Sequence, residues 1–190
     1  VGPVRHQLPS LPPRNIVGEP QGRDSAPAIG LMAALLEKTL GPDAVMVVLP
    51  ADHVILKPEH FRAVLLKAAE VAREGYLVTI GIEPTSPDTG FGYIQRGEQI
   101  AVDGGRIPAY TVKQVKEKPQ QDVAAGYLAE GGYYWNAGMF IVRVGTLRDL
   151  YRQHVRDMEI RFGILVAAIQ AGDDERMAEA CPTLRKLSFD

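Results

Sequence analysis

Val45-Met46-Val47-Val48-Leu49-Pro50-Ala51-Asp52-His53 decides how the rest of the chain is read. A short, nearly all-apolar run rich in β-branched residues, stopped by a proline and followed by a carboxylate, is the pattern of a buried parallel strand with Asp52 at its carboxyl end. Open α/β sheets bind their ligands at that edge. An acid placed there is either a metal ligand or the cap of the following helix, and the stretch alone fits both.

The flanks extend the pattern. Upstream, residues 7–14 carry too many prolines for a helix or a central strand and read as a loop. Asn15-Ile16-Val17-Gly18 reads as a short strand, and Glu19-Pro20-Gln21-Gly22-Arg23-Asp24-Ser25-Ala26-Pro27 as a loop entering a helix, with Ser25 as its cap and Pro27 in its first turn. Ala28, Leu31, Met32, Leu35 and Leu36 then recur at helical spacing as far as Leu40. Downstream, Phe61, Val64, Leu65, Ala68 and Ala69 mark a second amphipathic helix from Pro58 to Glu74, stopped by Gly75, and Tyr76 to Ile82 reads as another buried strand. Strand, helix, strand, helix, strand predicts a parallel sheet with crossover helices.

From residue 90 to 118 the pattern changes. Gly92 to Gln95 and Ile107 to Val112 are strand-like pieces around the turn Asp103-Gly104-Gly105, which predicts a hairpin laid over the sheet. A polar helix near 120–130 precedes the run Tyr133 to Val144, which re-enters the sheet, and from about 145 the chain is mainly helical. The predicted class is α/β: a Rossmann-like mixed, mainly parallel sheet flanked by helices, with a β-hairpin insertion, in a single domain over 1–190.

The composition is that of an ordinary globular chain of 190 residues, 46% hydrophobic and 23% charged. A formal net charge of -2 leaves no general basic field, so nucleic acid is not expected as a partner, although a local phosphate pocket is compatible with it. No apolar run approaches the roughly 20 residues needed to span a bilayer, so no membrane association is expected. Cys181 is the only cysteine, which excludes an internal disulfide and fits a reducing cytoplasm. It precedes Pro182 with no histidine nearby in sequence and reads as a buried or incidental residue rather than a nucleophile.

Several segments carry candidate chemistry. The loop from Glu19 to Pro27 brings an arginine and backbone N–H groups to a helix start, which suits a phosphate or a nucleobase edge, or is simply a capped helix with a surface arginine. Asp52 with a second carboxylate from elsewhere suits a hard cation such as Mg²⁺, and His53 reads as structural rather than as a base. In Pro87-Asp88-Thr89-Gly90-Phe91-Gly92-Tyr93, the glycines permit close backbone approach to a ligand hydroxyl, or a plain bulged turn. Glu117 and Lys118 suit sugar hydroxyls and a phosphate, or form a solvated charge cluster. In Gly131-Gly132-Tyr133-Tyr134-Trp135-Asn136-Ala137-Gly138-Met139-Phe140, the Asn136 amide inside an apolar strand needs partners, from a ligand or from the backbone.

Taken in order, these segments resemble the sugar-phosphate nucleotidyltransferases, and among them the mannose-1-phosphate guanylyltransferases. The resemblance is carried by Glu19 to Ile29, Val48 to His53, Pro84 to Ile94, Glu117-Lys118-Pro119 and Trp135 to Phe140. It implies that Asp52 and Lys118 are catalytic and that the loop residues Glu19, Arg23, Ala26 and Pro27 contact the guanine nucleotide. It further implies that Gly92, Glu117 and Asn136, with Lys118, hold mannose 1-phosphate. The final Leu187-Ser188-Phe189-Asp190 looks like the start of the family motif that supplies the second metal carboxylate, so Mg²⁺ is expected on Asp52 and Asp190. The implied reaction is attack of the sugar phosphate on the α-phosphorus of GTP with loss of pyrophosphate, in a cytoplasmic enzyme for which a homodimer is one admissible assembly.

The resemblance has departures. Asp24-Ser25 stands where the family more often has Asn-Thr, Phe91 where it has tyrosine, and Val115 where phenylalanine is usual. The family's Gly-rich triphosphate loop has no counterpart here, so the resemblance leads us to expect an incomplete sequence, lacking that loop and truncated after Asp190. The other readings are a transferase for a different sugar 1-phosphate or nucleotide, and a non-catalytic homologue that binds the sugar nucleotide as a regulator. The isolated 190 residues are expected to be inactive and the longer protein active; pyrophosphate release by the isolated chain, dependent on GTP and mannose 1-phosphate, would contradict this.

Overall fold

The computed structural model describes residues 2–101 and 107–189, so the expected turn at 103–105 and the expected ligand Asp190 lie outside the described residues. The helices are α1 (Gly2–Gln7), α2 (Ser25–Leu40), α3 (Pro58–Arg73), α4 (Gln121–Glu130), α5 (Val144–His154), α6 (Arg156–Ala171) and α7 (Asp174–Ala180). The strands are β1 (Val45–Val48), β2 (Val78–Ile82), β3 (Tyr93–Ile100), β4 (Ala109–Lys116) and β5 (Tyr133–Arg143). Residue contacts divide the chain into two compact units, one made of residues up to Leu40 together with Leu147–Phe189, the other of Gly41–Thr146. None of the helices among the described residues is long and apolar enough to cross a membrane.

The unit Gly41–Thr146 holds the whole sheet. Strand β5 is its axis: Ile141 lies between Val47 of β1 and Val78 of β2, and Trp135 between Ile82 of β2 and Tyr93 of β3. β1 and β3 therefore share one edge of β5, β2 takes the other, and β4 extends the sheet beyond β3. β1 and β2 run in the same direction, as their crossover helix α3 requires. The mainly parallel sheet expected from that crossover is nevertheless not formed. β5 is inserted between them running the opposite way, and every pairing among the described residues is antiparallel. The α/β class, the flanking helices and the β3–β4 hairpin agree with expectation, but the hairpin continues the sheet through β3 rather than lying over it.

β1 and β2 were expected to be buried and are instead half-exposed, Val47 at 41% and Ile82 at 44%. Each pairs with β5 on one side, and no second neighbour exists among the described residues. Helix α3 covers β5 with small residues: Ala68 and Ala72 pack against Ile141, flanked by Leu65, Ala69, Val45, Val78 and Ile80. The i, i+3 and i+4 spacing of those positions places them on one stripe of the helix. α4 contributes the fully buried Ala124 beside Tyr93 and Tyr133, with the Tyr127 ring stacked on Tyr133 at 4.1 Å.

The helical unit is built on α2, α5 and α6. Leu31 and Ala33 of α2, Leu147 and Tyr151 of α5, and Met158, Phe162 and Leu165 of α6 are all buried. Arg148 is 8% exposed, and its guanidinium is satisfied by Glu37 (Nε to Oε2, 3.0 Å) and Glu159 (Nη1 to Oε2, 2.6 Å). Arg152 joins the same two carboxylates. Burial pushes the Glu159 carboxyl above its usual range in spite of both arginines. Residues 15–18, expected to be a strand, are not one: Pro13–Asn15 forms a single 3-10 turn and Ile16–Gly18 has no regular structure. The tandem prolines favour the turn, because their fixed φ suits it and their missing N–H groups cannot feed a strand ladder.

Gly30 shows how closely α2 is packed. A Cβ there would lie 2.4 Å from the Phe162 ring and 2.8 Å from that of Tyr151, two rings that meet edge to face at 5.4 Å. Alanine in place of a mid-helix glycine usually gains about 1 kcal/mol, whereas overfilling a closed core costs about 1–3 kcal/mol. Both rings are buried and neither can swing away, so the second effect wins. Gly30→Ala is expected to lower stability by about 1–2 kcal/mol, seen as a lower urea midpoint at unchanged slope; a raised midpoint would contradict this packing.

Candidate active site

A cleft of about 490 Å³ lies wholly within the sheet unit. Its lining includes Asp52, His53, Phe91, Gly92, Glu117, Lys118, Trp135, Asn136 and Gly138. Five residues singled out from sequence, Asp52, Gly92, Glu117, Lys118 and Asn136, thus share one concavity. They come from four separate places: the segment after β1, the start of β3, the end of β4 and the middle of β5.

Asp52 sits on an exposed turn beyond β1, with its side chain 85% exposed and His53 Nε2 at 4.0 Å. The alternative role as a helix cap is excluded, because α3 begins only at Pro58 and its N-cap position is Lys57. Among the described residues, no group of three or more His, Cys, Asp or Glu side chains is placed to hold a metal. A hard divalent cation does not need such a cage. It is commonly held by one or two carboxylates, with water and substrate phosphate oxygens completing its shell, and an accessible Asp52 at the cleft wall fits that mode.

Glu117 and Lys118 follow β4 directly. Their side chains are about half to two-thirds exposed, with Lys118 Nζ 3.7 Å from Glu117 Oε1. Lys118 has φ of +43°, left-handed backbone that a non-glycine residue adopts at a cost of about 1–2 kcal/mol. Proline at the next position further restricts it. Such strain concentrates at ligand sites, where it aims a side chain. Gly92 is buried, and a Cβ on it would meet Glu117 Oε2 at 2.4 Å. The absence of a side chain therefore lets the carboxylate lie against the β3 backbone.

Asn136 stands at a distortion of β5. Thr79 of β2 faces Phe140, but Gly81, two residues on, faces Asn136, so Ala137–Met139 bulges out of the ladder. Bulges of this kind redirect side chains beside functional sites. Gly138 takes φ of +63° within it, where a larger residue would be strained. The Gly138 N–H donates to Asn136 Oδ1 at 3.2 Å, and the Thr79 hydroxyl donates to the same oxygen at 3.2 Å. The open alternative for this amide, backbone or ligand, thus resolves partly toward backbone. Sequence reading missed Thr79, the one hydroxyl in an apolar strand. It also missed the aromatic wall formed by Phe91 and Trp135, with ring centroids 5.0 Å apart. Both aromatics adjoin motif residues, which was the available signal. Trp135 Nε1 is a buried donor with no partner among the described residues.

Glu19, Arg23, Ala26 and Pro27 belong to the helical unit. The amides that begin α2 are already used: Ser25 N–H donates to Asp24 Oδ1 and Ala26 N–H to the Leu187 carbonyl. Ser25, expected to cap α2, is its first residue instead, and its hydroxyl accepts from Phe189 N–H. The returning segment Leu187–Phe189 has occupied the helix start, so this end does not offer open amides to a phosphate. Two side-chain atoms in the loop remain buried and unpartnered among the described residues, Glu19 Oε1 and Arg23 Nε. Arg23 also donates through Nη2 to the Pro182 carbonyl. Cys181 is fully buried with Sγ near the Gln21 carbonyl, consistent with a structural role.

Over residues 11–174 the chain matches the family described as Nucleotidyl transferase. It is 46% identical over 146 residues to an Escherichia coli (strain K12) protein named mannose-1-phosphate guanylyltransferase, a stretch covering 76% of this chain and 30% of that relative. A Klebsiella pneumoniae protein of the same name is 49% identical over 129 residues, covering 68% of this chain and 27% of the relative. Among solved structures, one described as mannose-1-phosphate geranyltransferase from Thermus thermophilus superposes with a TM-score of 0.77 at 28% identity, covering 100% of this chain and 58% of that one. The chain therefore spans less than a third of the length of these curated relatives.

Burial raises the Glu19 carboxyl above its ordinary value of 4.5. The folded chain then holds that proton more tightly than the unfolded one, so the stability it contributes is full below the ordinary value and is lost as pH rises through the raised one. Glu19→Gln removes that loss. Its thermal midpoint, measured relative to the parent chain, is expected to climb as pH rises from the ordinary value through the raised one; a difference that shrinks over this range would show that Glu19 is not held desolvated.

Proposed function

The chain belongs to the nucleotidyl transferase family, and on that footing we propose that it forms part of a single nucleotidyltransferase domain joining GTP and mannose 1-phosphate to give GDP-mannose and pyrophosphate. The observation that carries this reading is the convergence of Gly92, Glu117, Lys118 and Asn136 on the Asp52 cleft. One carboxylate, one ammonium, an amide and a bare backbone suit a phosphorylated sugar. The glycine admits the ring closely, the carboxylate accepts from hydroxyls, and the amine matches the phosphate as a point charge.

The chemistry asks little of the protein in proton transfer. At neutral pH the sugar phosphate is already largely dianionic, its second pKa lying near 6. One of its oxygens forms the new bond to the α-phosphorus of GTP, the bond from that phosphorus to the bridging oxygen breaks, and pyrophosphate leaves with the electron pair. No base is needed, and His53 has no such role. Lys118 lowers the repulsion between two anions, and Gly92, Glu117 and Asn136 fix the nucleophile in line. A divalent cation, which we take to be Mg²⁺ held by Asp52 and by Asp190, would neutralise charge on the phosphates when bound.

For the nucleotide, the unpartnered Glu19 Oε1 and Arg23 Nε supply an acceptor and a donor, a combination complementary to the N–H and carbonyl edge of guanine. Ala26 and Pro27, small and buried at the start of α2, would let the base approach. We take the reaction to be cytoplasmic.

Calorimetric titration of the chain with mannose 1-phosphate is expected to show binding. Lys118→Met and Glu117→Gln should each weaken it about tenfold or more, as loss of a charge-assisted hydrogen bond does. Gly92→Ala should weaken it similarly while barely altering the melting temperature, because only the flexible end of Glu117 must move. Asp52→Asn should leave the affinity for the sugar phosphate alone within about twofold but remove any strengthening by Mg²⁺. Full affinity in Lys118→Met and Glu117→Gln would overturn the assignment of the cleft.

A further inference from the structure

The cleft has an apolar corner as well as charged groups. Phe91 and Trp135, both in its lining, meet with ring centroids 5.0 Å apart and planes inclined at 47°. Trp135 Nε1 is buried, so the indole presents ring carbon to the cleft and not its N–H. Phe91 remains 44% exposed even though its ring packs on the indole. An aromatic left open at the wall of a concavity is a place where the apolar surface of a ligand can leave water.

The backbone that carries the Phe91 ring is pinned on both sides. Gly90 N–H donates to Asp88 Oδ1 at 2.7 Å, and the hydroxyl of the fully buried Tyr93 donates to the Asp88 carbonyl at 2.8 Å. After the ring, the Asn136 backbone N–H donates to the Gly92 carbonyl at 2.7 Å. Tyr93 in turn pairs with Trp135 across the ladder. The exposure of Phe91 is therefore not that of a loose loop, because the segment is tied to the strand that holds its partner ring.

The geometry selects among ligand chemistries. Two rings inclined at 47° make a corner and not a slot, which suits a puckered ring laid on one face better than a flat base held between two. The face of an aromatic ring carries partial negative charge, and C–H groups next to oxygen carry partial positive charge. A pyranose chair offers such C–H groups on its faces and hydroxyls around its rim. Glu117 and Lys118 line the same cleft and match the rim and the phosphate.

We propose that Phe91 and Trp135 form an apolar platform for the C–H face of a pyranose 1-phosphate, and that this contact makes the cleft prefer a sugar phosphate to a phosphate ester without a ring. The proposal rests on the reading that the cleft binds a sugar 1-phosphate.

Trp135 is the only tryptophan of the chain, so tryptophan fluorescence reports on the platform directly. Mannose 1-phosphate is expected to change the emission saturably, with the midpoint that calorimetry gives. Glycerol phosphate, which carries the charge and hydroxyls without a ring, should leave it nearly unchanged. Phe91→Ala should raise Kd for mannose 1-phosphate about three- to tenfold, the worth of one aromatic contact, and leave Kd for glycerol phosphate within about twofold. Phe91→Tyr keeps the ring and should stay within about twofold of the parent for both ligands. Equal weakening of both ligands by Phe91→Ala would make Phe91 a structural part of the wall and overturn the proposal. Calorimetric binding of mannose 1-phosphate by the parent with unmoved Trp135 emission would overturn it as well, without needing any variant. In both of these outcomes the cleft would still hold the sugar phosphate. Absence of mannose 1-phosphate binding by the parent chain would instead overturn the reading of the cleft, and the platform with it.

Discussion

The antiparallel strand β5 is the constraint on which the rest of the sheet unit depends. It is hydrogen-bonded along both edges, to β1 and β3 on one side and β2 on the other. A strand paired on both sides cannot shift register without breaking two ladders and turning its buried side chains outward. That rigidity is what makes a local distortion useful. The bulge at Ala137–Met139 stands on a fixed frame, and Asn136 at its start is held by donors from two strands. The turn after β1, the glycine at the start of β3 and the Glu117-Lys118 pair after β4 reach the cleft because each belongs to a strand joined to β5 directly or through one neighbour.

The helical unit is stabilised differently. Its core is closed by rings packed against a glycine and by an arginine buried with two carboxylates. Removing one partner of such an ion cluster typically costs about 3–5 kcal/mol, because an uncompensated charge is left inside. Replacing the whole cluster with apolar residues can be neutral. The cluster therefore fixes how α2, α5 and α6 meet more than it adds net stability. The start of α2 is likewise settled internally, since Leu187–Phe189 returns to its first turn and takes up its free groups.

Much of this was legible in the sequence, for identifiable reasons. Apolar spacing located α2, α3 and all five strands, because local periodicity reflects burial on one face. The cleft residues were legible as residue types out of place in strands and turns: an acid after a proline, paired glycines around an aromatic, an amide among apolar neighbours. The order of strands was not legible. A βαβ pattern fixes that β1 and β2 run the same way, but nothing local in Tyr133–Arg143 indicates that this later segment inserts between them. The Ser25 hydroxyl was misread for the same reason, as its partner Phe189 is 164 positions away. Thr79 escaped notice because a threonine in a strand is ordinary, and its use becomes visible only from the register across the bulge. The partial exposure of β1 and β2 could not be foreseen either, since exposure depends on neighbours rather than on the strand itself.

The central claim is that the concavity bounded by Asp52, Gly92, Glu117, Lys118 and Asn136 receives a phosphorylated sugar. The most direct measurement follows backbone and side-chain amide resonances of the nitrogen-15-labelled chain during titration with mannose 1-phosphate. The account predicts saturable shifts concentrated at Gly92, Lys118, Gly138 and the Asn136 side-chain NH₂, with the core of the helical unit around Phe162 unmoved. Shifts spread evenly over the chain, or confined to residues outside the cleft, would contradict it.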